Sequence, residues 1–530
     1  MRLKHTTLVV SLLLSLSVSV SAQVSPEVEL PDFVITGRQQ FDFPAAEKNA
    51  GKPVSTISGE FLMQTHPPDE LAVKEYSEPV KIVAAVSDTP DYKAWNLGFY
   101  AGNVYLPSAD LSFTLPFGSS LLYARGSGFN RKAFIDYGDR YTAEGQVAYR
   151  YYIPHNQGAL GGASAFGSAS IAFDSYSFYG SAIPFASREM VTGDLRVGFE
   201  NNYRDDFKYG ISLKGDLANI NAESYADNLF LSSGYADFKY RNFIINADAE
   251  FGYNTIGTAL IRDASEYYLN GGATIGFDFS ELLSFTVGAS YGRAGDRDYF
   301  NPIAGALFKV FSGFTVMGEY RPAARFVRNI DLLNMNPYFV PATDDHFYYR
   351  ENHRITAAFK FEYYKWYKIS GGITYYQADA YPYFYEPVVK GNFEAIRDEV
   401  DHFSVFGEWW MYPGPAGAVN ASLAYTRVTL PNGNLVPYHP EIEGRLNYSY
   451  TFPKFTLRVG GKFNANSYAD AANAVKLDPV IDLSVGGIYS VTSAFEVTLD
   501  VENILNRENQ RWLNYKNPGL SILAGLRYRW

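Results

Sequence analysis

The strongest constraint on the fold of this chain is an alternation of apolar and polar residues that recurs along residues 94–530. In residues 207–217, apolar side chains at odd positions alternate mainly with Lys, Ser and Asp at even positions, and residues 354–363, 441–452 and 454–465 repeat the pattern. A period of two indicates β-strands with one apolar and one polar face. No stripe at helical spacing of comparable length occurs in this part of the chain. The sequence therefore predicts an all-β fold.

Strand length and composition favour a membrane barrel over a water-soluble sandwich. The alternating segments run for about 10 to 13 residues, which suits a tilted membrane-spanning strand of roughly 9–11 residues better than an average strand of 5–6. Full charges lie on the polar face, and aromatic residues gather near strand ends, as in 363–367 and 408–412. Such aromatic groups are typical of a girdle at the membrane interface. We therefore predict a transmembrane antiparallel β-barrel of the bacterial outer membrane.

Short and long connections alternate along the predicted barrel, as periplasmic turns and external loops do. Their number gives about 22 strands between Trp95 and Trp530, and an even count places both ends on the periplasmic side. The longest loops are predicted at 323–351 and 378–401. The other longer connections are predicted at 130–140, 220–231, 255–266, 295–302, 429–439, 466–477 and 503–518.

The first 93 residues have a different character. Residues 1–22 read as an export signal, with basic Arg2 and Lys4, an apolar stretch over 8–20 and small residues before a cut at Gln23. Residues 23–93 are rich in proline and poor in aromatics, which indicates an extended periplasmic segment rather than a globular domain. The predicted domains are thus 1–22, 23–93 and 94–530.

Composition excludes several functions. The chain has no cysteine, so a disulfide scaffold, a cysteine nucleophile and thiolate metal sites are excluded. A formal net charge of -11 argues against nucleic acid as a partner. No catalytic constellation stands out, and we expect neither an enzyme nor a bound cofactor.

The two ends of the chain resemble a known family. The run 501–506, followed by Tyr515, Pro518-Gly519 and a terminal strand, is similar to the carboxyl end of TonB-dependent receptors. Near the amino end, one short acidic and apolar segment resembles their TonB box: Pro31, Asp32, Phe33, Val34, Ile35, Thr36 and Gly37. The resemblance implies a 22-stranded barrel, an internal plug domain and nutrient uptake driven through a TonB-type periplasmic protein.

The terminal strand carries a further resemblance. Leu526, Tyr528 and Trp530 face one way and end in an aromatic residue, which is similar to the signal by which the outer-membrane assembly machinery recognises barrels. The alternative is an ordinary edge strand.

The chain departs from the family at the plug. A plug needs well over a hundred residues, whereas about 71 residues lie between the signal and the first predicted strand. A wide barrel normally has a plugged lumen. Three alternatives remain: residues 38–93 occlude the lumen, long loops fold in, or a partner, such as a separate plug or a surface lipoprotein, supplies the stopper.

Two groups in the predicted loops are candidate ligand sites. Tyr348, Tyr349, Tyr383 and Tyr385 could stack on sugars or flat ligands, or could pack the loops on one another. His346, His353, His402 and His439, with neighbouring carboxylates, could bind a divalent metal or haem, or could be scattered solvated residues. The sequence thus leaves two functions: an energy-coupled uptake barrel, or a passive porin or structural barrel that is not coupled to TonB.

Overall fold

A computed structural model describes residues 94–530, except 205, 221–224, 258–263, 342–345, 365, 388 and 413–416. The predicted signal peptide, the segment 23–93 and its TonB-box-like residues Pro31 to Gly37 lie outside the described residues. The strands are β1 Trp95–Gly102, β2 Ser108–Phe117, β3 Ser120–Arg131, β4 Arg140–Tyr152, β5 Ser164–Ser177, β6 Ser187–Asn201, β7 Phe207–Ile220, β8 Tyr225–Tyr240, β9 Phe243–Gly257, β10 Ala264–Asp278, β11 Leu283–Ala294, β12 Arg297–Phe311, β13 Phe314–Tyr320, β14 Ala323–Val327, β15 Phe347–Tyr363, β16 Tyr367–Tyr385, β17 Glu394–Met411, β18 Ala418–Thr429, β19 Ile442–Thr451, β20 Phe455–Ala465, β21 Val480–Ser490, β22 Phe495–Glu502, β23 Gln510–Trp512, β24 Tyr515–Lys516 and β25 Ser521–Arg529.

These strands form a closed antiparallel barrel of 22 strands, as predicted. Each wall strand pairs with its two neighbours along the wall, so that β22 pairs with β25, and β1 closes the barrel by pairing with β25, where Asn96 lies opposite Arg529. Strands β13 and β14 form one broken wall strand because both pair with β15, while β23 and β24 form a small separate hairpin. Helix α1 spans Asn329–Met335, and a 3-10 helix spans Gly158–Leu160. Among the described residues, no helix has the length and apolarity needed to cross a membrane.

The two faces of the wall follow the predicted alternation. On β25 the side chains of Ile522, Leu526 and Tyr528 are exposed on the outside, and the intervening Leu523 and Arg527 are buried on the inside. Trp530 stacks on Trp95 with ring centroids 5.7 Å apart at the seam. An apolar outer face and a more polar inner face are the arrangement that a lipid bilayer around a barrel requires. The outer surface is therefore the membrane-facing surface.

The ends of the barrel differ, and several predicted loops are shorter than expected. One end, here called the turn end, has tight connections such as 118–119, 241–242 and 312–313, although 153–163 is a longer exception. The other, the loop end, carries the long connections.

The predictions of long loops at 220–231, 295–302 and 378–401 were wrong in extent, because β8 begins at Tyr225, β12 at Arg297, and β16 continues to Tyr385. Tyr and Phe favour extended structure, so strands continue beyond the length that a bilayer needs.

Candidate functional site: the closed mouth of the barrel

A strand leaves the barrel wall at Arg321-Pro322. Below this point β13 pairs with both β12 and β15, whereas above it β14 pairs with β15 alone. Proline has no backbone N–H and interrupts a strand ladder. We call residues 323–341 and 346–351, which comprise β14, α1 and the start of β15, the inner hairpin.

The inner hairpin packs against the inside of the wall. The ring of Phe326 on β14 stacks on Tyr268 of β10 with centroids 4.4 Å apart. Tyr268 is buried there with Leu229, Ala294 and Tyr348. Since Tyr268 and Leu229 project inward from the wall, β14 lies within the loop end of the lumen.

Helix α1 is anchored on strands that lie about six positions away around the wall. The Arg328 guanidinium forms ion pairs with Asp216 of β7 and Asp331 of α1, each with an N–O distance of 3.1 Å. The carboxylate of Asp227 on β8 accepts a hydrogen bond from the backbone N–H of Ile330 at 3.3 Å. The helix therefore crosses part of the opening.

Loops from nearly opposite sides of the barrel touch each other. The connection 178–186 joins the fifth and sixth wall strands, and 386–393 joins the fifteenth and sixteenth of 22. The backbone N–H of Ala182 donates to the carbonyl of Lys390 at 2.8 Å, and Ser181 Oγ donates to Asn392 Oδ1 at 2.9 Å. These contacts join loops from nearly opposite sides, so the loops span the mouth.

An aromatic cluster fills the place where the loops meet. The rings of Tyr338 and Tyr515 stack with centroids 3.4 Å apart, and the Tyr515 hydroxyl donates to the Gly391 carbonyl at 2.6 Å. The fully buried Arg188 and the Tyr176 hydroxyl both donate to the Pro337 carbonyl, at 2.7 and 2.5 Å. The cap, as we call this cluster, contains Ala218, Ile220, Tyr225, Ile256, Ile330, Leu332, Leu333, Phe339, Phe347, Phe384, Phe393, Tyr438, Ala469, Leu477, Trp512 and Tyr515.

Burial also sets the protonation of groups in the cap loops. Burial raises the pKa of the Tyr515 hydroxyl well above its usual value, so it stays a hydrogen-bond donor to Gly391. Burial lowers the pKa of the His439 imidazole to about 4, and the positive charge of Arg511 adds to the shift. The connection that carries His439, next to Tyr438 of the cap, therefore contains a neutral imidazole at neutral pH.

The four tyrosines proposed for ligand stacking lie on strands near the loop end. Tyr348, Tyr349 and Tyr383 are buried. Their burial agrees with the alternative in which these rings pack the loops on one another. Tyr385 is half-buried, and its hydroxyl donates to Glu394 at 2.6 Å. The structure does not bring these four rings together into one exposed surface.

The structure does not gather the four histidines proposed for metal binding into one site, although His402 and His439 lie near each other. His346 stacks on Phe326, His402 stacks on Tyr376, and His353 Nδ1 lies 3.2 Å from the Tyr320 hydroxyl. His439 is half-buried in the connection between β18 and β19. In the described part of the chain, which leaves out Asp344 and Asp345, no group of three or more His, Asp or Glu could hold a metal ion.

The sequence interpretation missed the cap residues that matter most. Arg188 and Pro337 were not singled out, because the partners that they contact are far away in sequence. Pro322 was a usable signal, because a proline directly before a predicted loop marks the point where a strand leaves the sheet.

Comparisons with known proteins identify the fold. No protein-family model matches the sequence, and no curated protein matches it. The structure is similar to the siderophore receptor PiuA from Acinetobacter baumannii, with a TM-score of 0.61 and 11% identity over 83% of this chain and 82% of that chain. It is similar to the FrpB iron transporter from Neisseria meningitidis, with a TM-score of 0.64 and 11% identity over 83% and 82% of the two chains. It is also similar to the copper transporter OprC, with a TM-score of 0.61 and 12% identity over 82% of each chain. The described chain therefore has the barrel fold of the TonB-dependent outer-membrane receptors.

Proposed function

We propose that this protein is an outer-membrane receptor that takes up a scarce nutrient with energy supplied through a TonB-type periplasmic protein. The observation that carries the proposal is the combination of this barrel fold with a cap that spans the mouth. A steady passive pore would not be expected to hold its mouth shut with a buried aromatic cluster. Uptake through such a barrel needs a ligand or an energy source that opens the cap. The proposed activity is transport and not catalysis.

The coupling element in this proposal is the segment Pro31 to Gly37. An extended segment can add as a strand to the sheet edge of a partner protein. Phe33, Val34 and Ile35 favour extension, and Pro31 disfavours a helix. In this arrangement the turn end faces the periplasm, both chain ends are periplasmic, and the loop end faces the outside.

Two further partners belong to the proposal. Leu526, Tyr528 and Trp530 would present the last strand to the outer-membrane assembly machinery. A separate plug or a surface lipoprotein would complete the closure of the lumen. The pairing of β1 with β25 supports the first role, since the last strand has to find the first one when the barrel closes.

The test uses the full-length protein and a Val34→Pro variant, which removes the N–H from the centre of the proposed added strand. We expect the purified protein to bind the carboxyl-terminal domain of the TonB-type protein, and Val34→Pro to abolish that binding. Val73→Pro, elsewhere in the same segment, is the matched control and should bind normally. Equal binding by all three proteins, or no binding by any, would favour the passive or structural alternative.

A further inference from the structure

The lumen wall contains a recess that the cap does not fill. It has a volume of about 280 Å³ and lies on the inner face of β8 to β12. Arg321, Pro322, Ala323 and Ala324 border it where the inner hairpin leaves the wall. The recess is therefore a product of the same strand break that forms the hairpin.

Small residues create this space. Gly272 and Ser290 line the recess on β10 and β11, and Gly292 lies where the hairpin approaches the wall. A Cβ atom at Gly292 would lie 2.6 Å from Asn270 Oδ1 and 2.9 Å from the Cβ of Ala324. A larger side chain at Gly292 would therefore push the hairpin away from the wall.

Hydrogen-bond acceptors line the recess. Asn301 is 1% exposed, and its Oδ1 has no hydrogen-bond partner among the described residues; the same holds for Asn270 Oδ1. Asp237 and Asp248 contribute carboxylates to the lining. The guanidinium of Arg321 is paired with Glu319 at 2.6 Å. A buried acceptor without a donor costs free energy, so these amide oxygens favour a partner that brings hydroxyl or amino hydrogens.

We propose that the recess binds a small carbohydrate, a mono- or disaccharide, whose hydroxyls donate to Asn270, Asn301 and the carboxylates. The proposal rests on the uptake function above and names its substrate class. Sugar hydroxyls both donate and accept, so they also suit the neighbouring Ser290 and Thr274. Ile303 and Pro322 supply apolar surface for the C–H groups of a sugar ring.

The size and chemistry of the recess distinguish this ligand from others. Ligand pockets commonly span roughly 300–1,000 Å³, so about 280 Å³ suits one or two sugar rings better than a large metal chelate. The described residues contain no group of three or more His, Asp or Glu with metal-binding geometry. A cationic amine is the remaining competitor because of Asp237 and Asp248.

The experiment measures binding of defined probes to the purified full-length protein in detergent by isothermal titration calorimetry. The probes are glucose, galactose, xylose, maltose and cellobiose, with putrescine as the cationic probe. We expect at least one sugar to bind, and Asn301→Ala and Asn270→Ala each to weaken its binding by about tenfold, as the loss of a buried hydrogen bond to a ligand does. Asn447→Ala, at an inward position of β19 outside the recess, is the matched control and should bind like the unchanged protein.

A second variant shows whether a loss of sugar binding in Asn301→Ala comes from the recess itself or from misfolding around the buried Asn301. Ser290→Leu places a larger side chain in the recess and reduces its volume. This variant should not bind sugar, while the barrel keeps its folded mobility in gels. Absence of sugar binding, equal binding by all variants, or preferential binding of putrescine would overturn the proposal. Binding to the purified protein needs no TonB-type partner. Failure of energy coupling, tested by Val34→Pro, would therefore leave this result unchanged.

Discussion

The two ends of this barrel are stabilised in different ways. At the turn end, neighbouring strands are joined mostly by short turns, and the strand ladder holds them in place. At the loop end, residues from β7, β8, β9, β15, β16 and five long connections form one buried apolar cluster. On the wall, the outer face meets lipid and the inner face is more polar, with smaller buried apolar clusters such as the one around Leu229 and Tyr268. The largest buried apolar cluster among the described residues is therefore the cap, and the cap closes the mouth.

This difference implies that the cap can open while the wall stays intact. Opening the cap exposes apolar loop residues and breaks a few hydrogen bonds, whereas opening the wall would break a complete strand ladder. Regions with different local stability open independently in many proteins.

The largest effect should come from removing the inner part of the cap. Val327 and Phe347 are paired at the end of the β14–β15 ladder, so an Asn-Gly turn can replace residues 328–346 and leave a regular hairpin. We expect the variant to fold and to show steady conductance in planar bilayers, where the unchanged protein is closed. Insertion of Gly-Ser into the turn at 312–313 is the control and should leave the protein closed. A silent deletion variant would show that other loops or residues 23–93 suffice to close the lumen.

A smaller effect is expected from one aromatic residue at the centre of the cap. Tyr515→Ala removes the ring that stacks on Tyr338 and leaves a cavity, which should destabilise the closed cap by about 3–5 kcal/mol. Tyr515→Phe loses only the hydrogen bond to Gly391 and should cost about 1 kcal/mol. Hydrogen exchange should show faster exchange of cap amides in Tyr515→Ala and unchanged exchange in the wall strands. Equal acceleration in both regions would mean that cap and wall are one cooperative unit.

A third effect, smaller than that of Tyr515→Ala, should follow pH through His439. Its pKa of about 4 in the closed cap lies below the ordinary value near 6.5, so opening the cap takes up a proton between these two pH values. The closed cap should therefore lose stability as the pH falls from 6.5 towards 4, by up to about 3 kcal/mol. Hydrogen exchange of residues 430–441 should accelerate over this range, and less so in His439→Gln. The same pH response in both proteins would exclude His439 as its cause.

The sequence by itself determined the wall. Alternation along segments such as 207–217 and 454–465 specifies strands with one lipid-facing side, and a one-residue slip in pairing would turn that side inward. The strand number and the outward position of Leu526 and Tyr528 follow from the same local pattern. Both are readable in sequence because they depend on neighbouring residues.

The tertiary structure alone decided the closure of the mouth and the surroundings of the candidate sites. Ala182 and Lys390 are 208 positions apart in sequence, yet their backbones are hydrogen bonded. Tyr348 and Tyr383 were candidates either for ligand stacking or for packing the loops on one another, and extended strands and the inward hairpin place them in buried clusters. A local pattern reports which face of a strand is apolar. It does not report which distant loops meet once the barrel closes, because that depends on where the circumference of the wall places their ends.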